Sequence, residues 1–354
     1  MELRVTAIED CEDNLMHAGP YVQRDRRKIH LGLNESHYPI PERVKTKIAS
    51  ALDRLHEYPI GFEAEVIEDV AKFYQVAPGQ VTITHGCDEA IDRLIQSFPN
   101  MRFSIFGPTF LGYEARLKLN HAHYQVIRLG ERFEIPEEAL SRFGKDDFVI
   151  LANPNNASGT LVSEAVLDRL QNQCGKLLID EAYIDFSRER THIDRLDERT
   201  FVFRSLSKAF ALAGLRLGFL FGAETNIAPI KNRQWFCNMS VVALEAIRAV
   251  LRDPYVIDHA ARIVQGREDI QSAAVKLGFG VHEGFGNFAL IRHPDMQHLI
   301  QFLDSQGICV MDTAVVGLEE HVRISVGTAA ENEALINALR RYASQFGIRS
   351  DDAA

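Results

Sequence analysis

No two cysteines in this 354-residue sequence stand at metal-ligand spacing. Cys11, Cys87, Cys174, Cys237 and Cys309 lie far apart and form no CxxC pair. That argues against a zinc knuckle or a disulfide framework, and the odd count fits a reducing compartment. Long apolar runs are lacking too. The longest, Ala209 to Ala223, is interrupted by Arg216 and is too short for a membrane span of roughly 20 residues. No GxGxxG follows a strand pattern, which disfavours a dinucleotide site. Positive charge is in deficit: 39 Lys and Arg against 49 Asp and Glu give a formal net charge of −10. Nucleic acid and anionic membrane are therefore not expected as partners. The one dense basic cluster, Arg24-Asp25-Arg26-Arg27-Lys28, has no interleaved aromatics and reads as solvated surface. The segment MELRVTAIEDCEDN is acidic and lacks the apolar stretch of a signal peptide, so a cytoplasmic location is expected. Internal repeats and low-complexity segments are absent.

At 46% hydrophobic and 25% charged the chain reads as an ordinary globular protein, long enough for a large domain and a smaller one. Residues 1–40 look like an irregular arm. Helical spacing begins after Pro41 and ends at Glu57-Tyr58-Pro59, and a second helix is expected from Glu63 to Tyr74. Short apolar strands then alternate with helices: Val81 to Thr84, Phe103 to Phe106, Phe148 to Leu151, Leu177 to Ile179, Phe201 to Phe203 and Leu217 to Phe221. Strands apolar on both faces and separated by helices imply an α/β fold, a three-layer, mostly parallel sheet covered on both sides. After about residue 245 the helices lengthen and the strands become sparse (Ala289 to Arg292, Val322 to Val326). This implies a second, smaller α+β domain, ending in a helix near 331–345 and a polar tail. The expected division is an arm at 1–40, a large domain at 41–245 and a small one at 246–350.

In a parallel sheet ligands bind at the carboxyl ends of the strands. The polar residues collect there: Gly86-Cys87-Asp88, Asn153 to Asn156, Asp180, Tyr183, Ser205, Ser207 and Lys208. Lys208 is the only lysine in the run RSLSKAFALAGLRLGF, among small and apolar residues. Burial disfavours the charged form of an amine, and a neutral amine can form a Schiff base with an aldehyde. Asp180 and Tyr183 could hold a ring nitrogen and a phenolic oxygen. Ser205, Ser207 and Arg216, with the backbone N–H groups after Gly86, could hold a phosphate dianion. Each piece alone also reads as a turn or a helix cap. Together, at successive strand ends, they fit pyridoxal phosphate.

These stretches also carry a family resemblance over nearly the whole chain. RSLSKAFALAGLRLGF, DEAYIDF, NPNNASGT, HGCDEAIDRLI, PTFLGY, NES and VRISVGT occur in the order found in the fold-type I pyridoxal-phosphate aminotransferases (the aspartate aminotransferase-like fold). Within that group the chain resembles the histidinol-phosphate aminotransferases of amino-acid biosynthesis. The resemblance implies Lys208 as the Schiff-base lysine and general base, Asp180 as partner of the ring nitrogen, and Tyr183 with Asn156 on the ring oxygen. Tyr113 would stack on the ring. Ser205, Ser207, Arg216 and the Gly86-Cys87-Asp88 backbone would hold the phosphate. Tyr58 would reach the phosphate of a neighbouring subunit, making a homodimer with shared sites. Arg323 would clamp the substrate carboxylate, with Asn34 and Tyr21 closing over the substrate. The implied substrates are an amino acid such as glutamate and a keto or aldehyde acceptor.

The sequence departs from the family in three places. Ala157-Ser158 stands where Pro-Thr is usual. Met311 stands where an arginine helps bind a substrate phosphate, and losing such a contact costs about 2–3 kcal/mol. Trp235-Phe236-Cys237-Asn238 replaces a proline-containing substrate loop. Other reactions on this scaffold stay open at this point: a decarboxylase resembling threonine-phosphate decarboxylase, or a cyclase or oxidase of specialised metabolism.

Overall fold

The structure is a computed structural model that describes residues 25–348. Tyr21, Cys11 and the polar tail from 349 to 354 lie outside the described residues. The strands are β1 Ile29–Leu31, β2 Val81–Thr84, β3 Arg102–Gly107, β4 Tyr124–Arg128, β5 Asp147–Ala152 and β6 Lys176–Asp180. They continue with β7 Thr200–Ser205, β8 Gly218–Phe221, β9 Gly280–His282, β10 Phe288–Arg292, β11 Ile308–Asp312 and β12 His321–Ser325. Seven form one sheet in the order β2-β8-β7-β6-β5-β3-β4, and five form a second in the order β1-β11-β12-β10-β9.

In the large sheet only β8 is reversed. It runs antiparallel to both β2 and β7, so those two share a direction with β6, β5, β3 and β4. The carboxyl ends of six strands therefore line one edge, and the start of β8 lies at that same edge. Strand periodicity divides the residues between two cores. Phe148, Ile150, Leu178, Phe201 and Phe203 face one way, packing with Ala90 to Ile95 of α1 (Gly86–Ser97) and Tyr113 and Leu117 of α2 (Leu111–Leu119). Val149, Leu151, Leu177, Ile179 and Val202 face the other core. The sequence expectation of a three-layer sheet is met.

Two expectations change. The arm is not irregular throughout, because β1 pairs in parallel with β11 and joins the small sheet. Three residues are too few to show a strand period. The boundary placed at 245/246 falls inside α3 (Val241–Leu251), a helix so apolar that it is buried for most of its length. The sequence reading also passed over β4, whose half-exposed residues show no apolar alternation at its position on the sheet edge.

Adjacent residues at the end of β6 serve opposite faces. Asp180 follows the parity of Leu178, towards α1 and α2. Glu181 points to the other side, where it is fully buried. There it accepts from the Nδ1 and backbone N–H of His192 (2.7 and 2.5 Å), from Thr191 Oγ1 (2.6 Å) and from Arg204 Nη1 (3.3 Å). Arg204 also donates to Asp185 (2.5 Å). Although burial opposes it, this network holds Glu181 below the usual carboxylate range and raises His192 above 6.5. A lowered carboxylate stabilises above its ordinary value of 4.5 and loses that as pH falls through its folded value. A raised histidine stabilises below 6.5 and loses that as pH rises through its folded value. The network is therefore strongest between about pH 4.5 and 6.5. Removing one partner of a buried pair costs about 3–5 kcal/mol. Glu181→Ala is expected to lose that much in urea denaturation, and His192→Asn to lose the decline in melting temperature as pH rises above 6.5.

Candidate active site

Topology explains which side chains meet. Thr84 and Ser205 both pair with Gly218 at the start of β8, so the loops following β2 and β7 and preceding β8 are brought together. Those loops carry Gly86, Ser207 and Arg216. Arg216 Nη1 lies 3.5 Å from Ser207 Oγ and Nη2 lies 3.4 Å from the Asp88 carboxylate. The Ser207 N–H donates to Ser205 Oγ at 3.1 Å. Arg216 is held by long contacts only and is half exposed, leaving its guanidinium free to take an anion. Gly86 has φ +71°, and a Cβ there would come within 3.0 Å of Arg216 Nη2. Glycine thus supplies both the left-handed turn into α1 and the space for the arginine. The N-terminus of α1 adds backbone donors and a favourable dipole. Such a set could hold a phosphate dianion.

Asp180 lies beside it, 4% exposed. Its Oδ2 accepts from Tyr113 Oη at 2.7 Å and from Cys87 Sγ at 3.1 Å, and its Oδ1 accepts from the Ala182 N–H at 3.0 Å. Burial raises its carboxyl above the usual range, while these donors pull the other way. Every donor in that set is neutral. A buried carboxylate held only by neutral donors suits a cationic ring nitrogen. Burial, reinforced by Asp180, also drives the Cys87 thiol and the Tyr113 phenol well above their ordinary values.

Lys208 is half-buried rather than enclosed, and its Nζ lies 3.4 Å from the Leu33 carbonyl oxygen and 5.7 Å from the Tyr183 ring centre. Tyr183 is buried against Phe288 and its hydroxyl meets Asn34 Nδ2 at 3.1 Å. Arg323, on β12, donates to Asn156 Oδ1 and, at 2.8 Å, to the Gly32 carbonyl. Met311 lies directly opposite Arg323 in the antiparallel register. The loop carrying Asn156 is tied to the small sheet: the Phe285 N–H donates to the Gly159 carbonyl at 2.8 Å. Gly159 has φ +79°, and a Cβ there would meet Gly284 Cα at 3.0 Å.

Lys208, Tyr183, Asn34, Asn156 and Arg323 thus form one connected set, and Asp180, Cys87 and Tyr113 another. Tyr113 reaches the site through its hydroxyl on Asp180. Its ring is 1% exposed, so no open face is offered for stacking. The sequence reading gave Cys87 only a backbone role, and its thiol contact with Asp180 went unseen. The signal that could have found it is strand parity, which points Asp180 at the first turn of α1. Tyr58 is 76% exposed and meets none of these residues in its own chain.

The Ser205, Ser207 and Arg216 set, the buried carboxylate and the lysine fit pyridoxal phosphate, and the fold belongs to enzymes that carry it. The chain matches the family described as aminotransferase class I and II over residues 26–339, and it belongs to that family. It is a pyridoxal-phosphate-dependent aminotransferase of the histidinol-phosphate aminotransferase-like kind. Histidinol-phosphate aminotransferase 3 of Mesorhizobium japonicum is 32% identical over 329 residues, 90% of this chain and 89% of that protein. The Thermococcus gammatolerans histidinol-phosphate aminotransferase is 30% identical over 332 residues, 92% of this chain and 95% of that protein. Among solved structures, a Burkholderia pseudomallei K96243 chain is 36% identical with TM-score 0.85, covering 89% of this chain and 98% of that one. The Sinorhizobium meliloti histidinol-phosphate aminotransferase in complex with pyridoxal-5′-phosphate shares the fold at TM-score 0.81 and 21% identity, covering 89% and 92%.

Gly86→Ala forces a disfavoured φ and crowds Arg216, whose guanidinium must give by a few tenths of an ångström. Absorbance titration of the variant with pyridoxal phosphate is expected to show about tenfold weaker binding, equivalent to about 1.4 kcal/mol.

Proposed function

We propose that this enzyme moves an amino group from glutamate to a keto or aldehyde acceptor that carries no phosphate. Bound pyridoxal phosphate would supply an electron sink for charge developing at the substrate Cα. The reading rests most on the convergence of Lys208, Tyr183 and Arg323. Lys208 would bind the cofactor's aldehyde carbon and would serve as the general base at the substrate Cα. Asp180 would keep the ring nitrogen protonated. Tyr183 and Asn156 would hold the ring oxygen. Ser205, Ser207, Arg216 and the Gly86-Cys87-Asp88 backbone would hold the phosphate. Arg323 takes the substrate carboxylate as a planar bidentate fork, with Asn156 beside it.

The acceptor is inferred from Met311. Residues paired across an antiparallel sheet share a face, so a buried thioether stands beside Arg323 where a second cation would be needed for a phosphorylated side chain. We also place this chain in a homodimer. Leu52, Leu55, Tyr58 and Ile60 are exposed on one segment, and Trp235 and Phe236 are 84% and 79% exposed on another. Gln234 donates to Glu63 at 2.8 Å, which brings the two segments together. Apolar side chains exposed together in this way mark an interaction surface. A second copy covering them would bring Tyr58 to its partner's phosphate. Among the described residues no helix is long and apolar enough to cross a membrane, and no cysteine is paired. Both observations are compatible with the cytoplasm.

L-Glutamate alone is expected to convert the visible band of the loaded enzyme to the aminated form with release of 2-oxoglutarate; an unchanged band rules out glutamate as donor. Met311→Arg is expected to raise kcat/KM for histidinol phosphate about tenfold, the effect of one added charge-assisted contact. Trp235→Glu is expected to give monomers in sedimentation and to lower activity with the loss of Tyr58 from the neighbouring site.

A further inference from the structure

Three consecutive residues after β1 touch three side chains of the site. The Gly32 carbonyl accepts from Arg323, the Leu33 carbonyl lies against Lys208, and Asn34 meets Tyr183. Asn34 is 1% exposed and left-handed at φ +52°. Its backbone N–H donates to Ser325 Oγ at 2.8 Å, and Ser325 Oγ lies 2.9 Å from Asn34 Oδ1. Its carbonyl accepts from Asn287 Nδ2 at 2.9 Å. Every polar atom of Asn34 is thereby used inside the protein.

Ser325 Oγ accepts from the Asn34 backbone N–H and donates its own proton to Asn34 Oδ1, so this one hydroxyl uses both its roles on the same residue. That turns the amide so that Nδ2 faces Tyr183. Tyr183 Oη then accepts, and its single proton must point elsewhere, into the site. We infer that Asn34 is a positioning residue that sets Tyr183 as a donor towards the ring oxygen of the cofactor, and that it does not contact substrate. The inference rests on the reading that places Tyr183 against that oxygen. A hydrogen bond donated to a phenolic oxygen draws off negative charge and weakens its hold on a neighbouring proton. Asn34 thereby lowers the pH at which the bound cofactor loses that proton.

The test is a pH titration of the visible absorbance of the full chain loaded with pyridoxal phosphate, with melting temperatures taken in parallel. Asn34→Gly keeps the left-handed backbone and removes the amide. Its midpoint is expected to rise by about 0.5–1 unit, the effect of one hydrogen bond. Asn34→Asp keeps the acceptor for Ser325 but takes the Tyr183 proton for itself, so its midpoint should rise further. In a Tyr183→Phe background, Asn34→Gly should add no further shift, since the two act as one unit. A lowered melting temperature with an unmoved midpoint in both Asn34 variants overturns the inference, as does a full additional shift in the Tyr183→Phe background. If Tyr183→Phe itself leaves the midpoint unmoved, the placement of Tyr183 on the ring oxygen is what fails.

Discussion

A carboxylate almost without water anchors this active site. Asp180 ends a strand buried on both faces, and its parity aims it at the first turn of α1 and at α2. Desolvation makes its charge costly, and three neutral donors offset only part of that cost. A cationic ring nitrogen would complete the balance, and the same burial that penalises the charge would strengthen that attraction. The next residue, Glu181, faces the same difficulty on the opposite side of the sheet and meets it with His192 and Arg204. One strand end thus carries two buried acids, one paired with a histidine and an arginine and one met by neutral donors.

The meeting of Ser205, Ser207 and Arg216 with the first turn of α1 depends on a single reversed strand. Were β8 parallel to its neighbours, its first residue would lie at the far edge of the sheet and Arg216 with it. Reversal puts Gly218 level with Thr84 and Ser205, and three loops distant in sequence are brought together. The small sheet is joined to this edge by hydrogen bonds from the Asn156 loop and from the Gly32-Leu33-Asn34 segment. Movement of one sheet against the other must therefore pass through groups that touch the lysine, the tyrosine and Arg323.

Much of this was readable from residue types. The lone lysine in RSLSKAFALAGLRLGF, the acid ending an apolar strand and the glycine turn before α1 each had a chemical reason to be where they are. Strands buried on both faces were legible because continuous apolar runs have few other uses. Half-exposed β4 and three-residue β1 were not, since neither carries enough periodicity to separate from loop. For Tyr113 and Cys87 the resemblance implied stacking and backbone contacts, whereas their hydroxyl and thiol contacts with Asp180 follow from helix and strand orientation. At Asn34 the sequence showed polarity and not burial.

The sequence by itself determined the chemistry available: one amine among small residues, one acid at a strand end, and serines and an arginine able to meet an anion. These are properties of residue type and local pattern, which survive without knowledge of partners. The tertiary structure alone decided the direction of each hydrogen bond and the neighbour of each group. Donor and acceptor roles at Ser325, Asn34 and Tyr183 pass along a chain of contacts between residues almost three hundred positions apart, and no local pattern encodes a contact of that range.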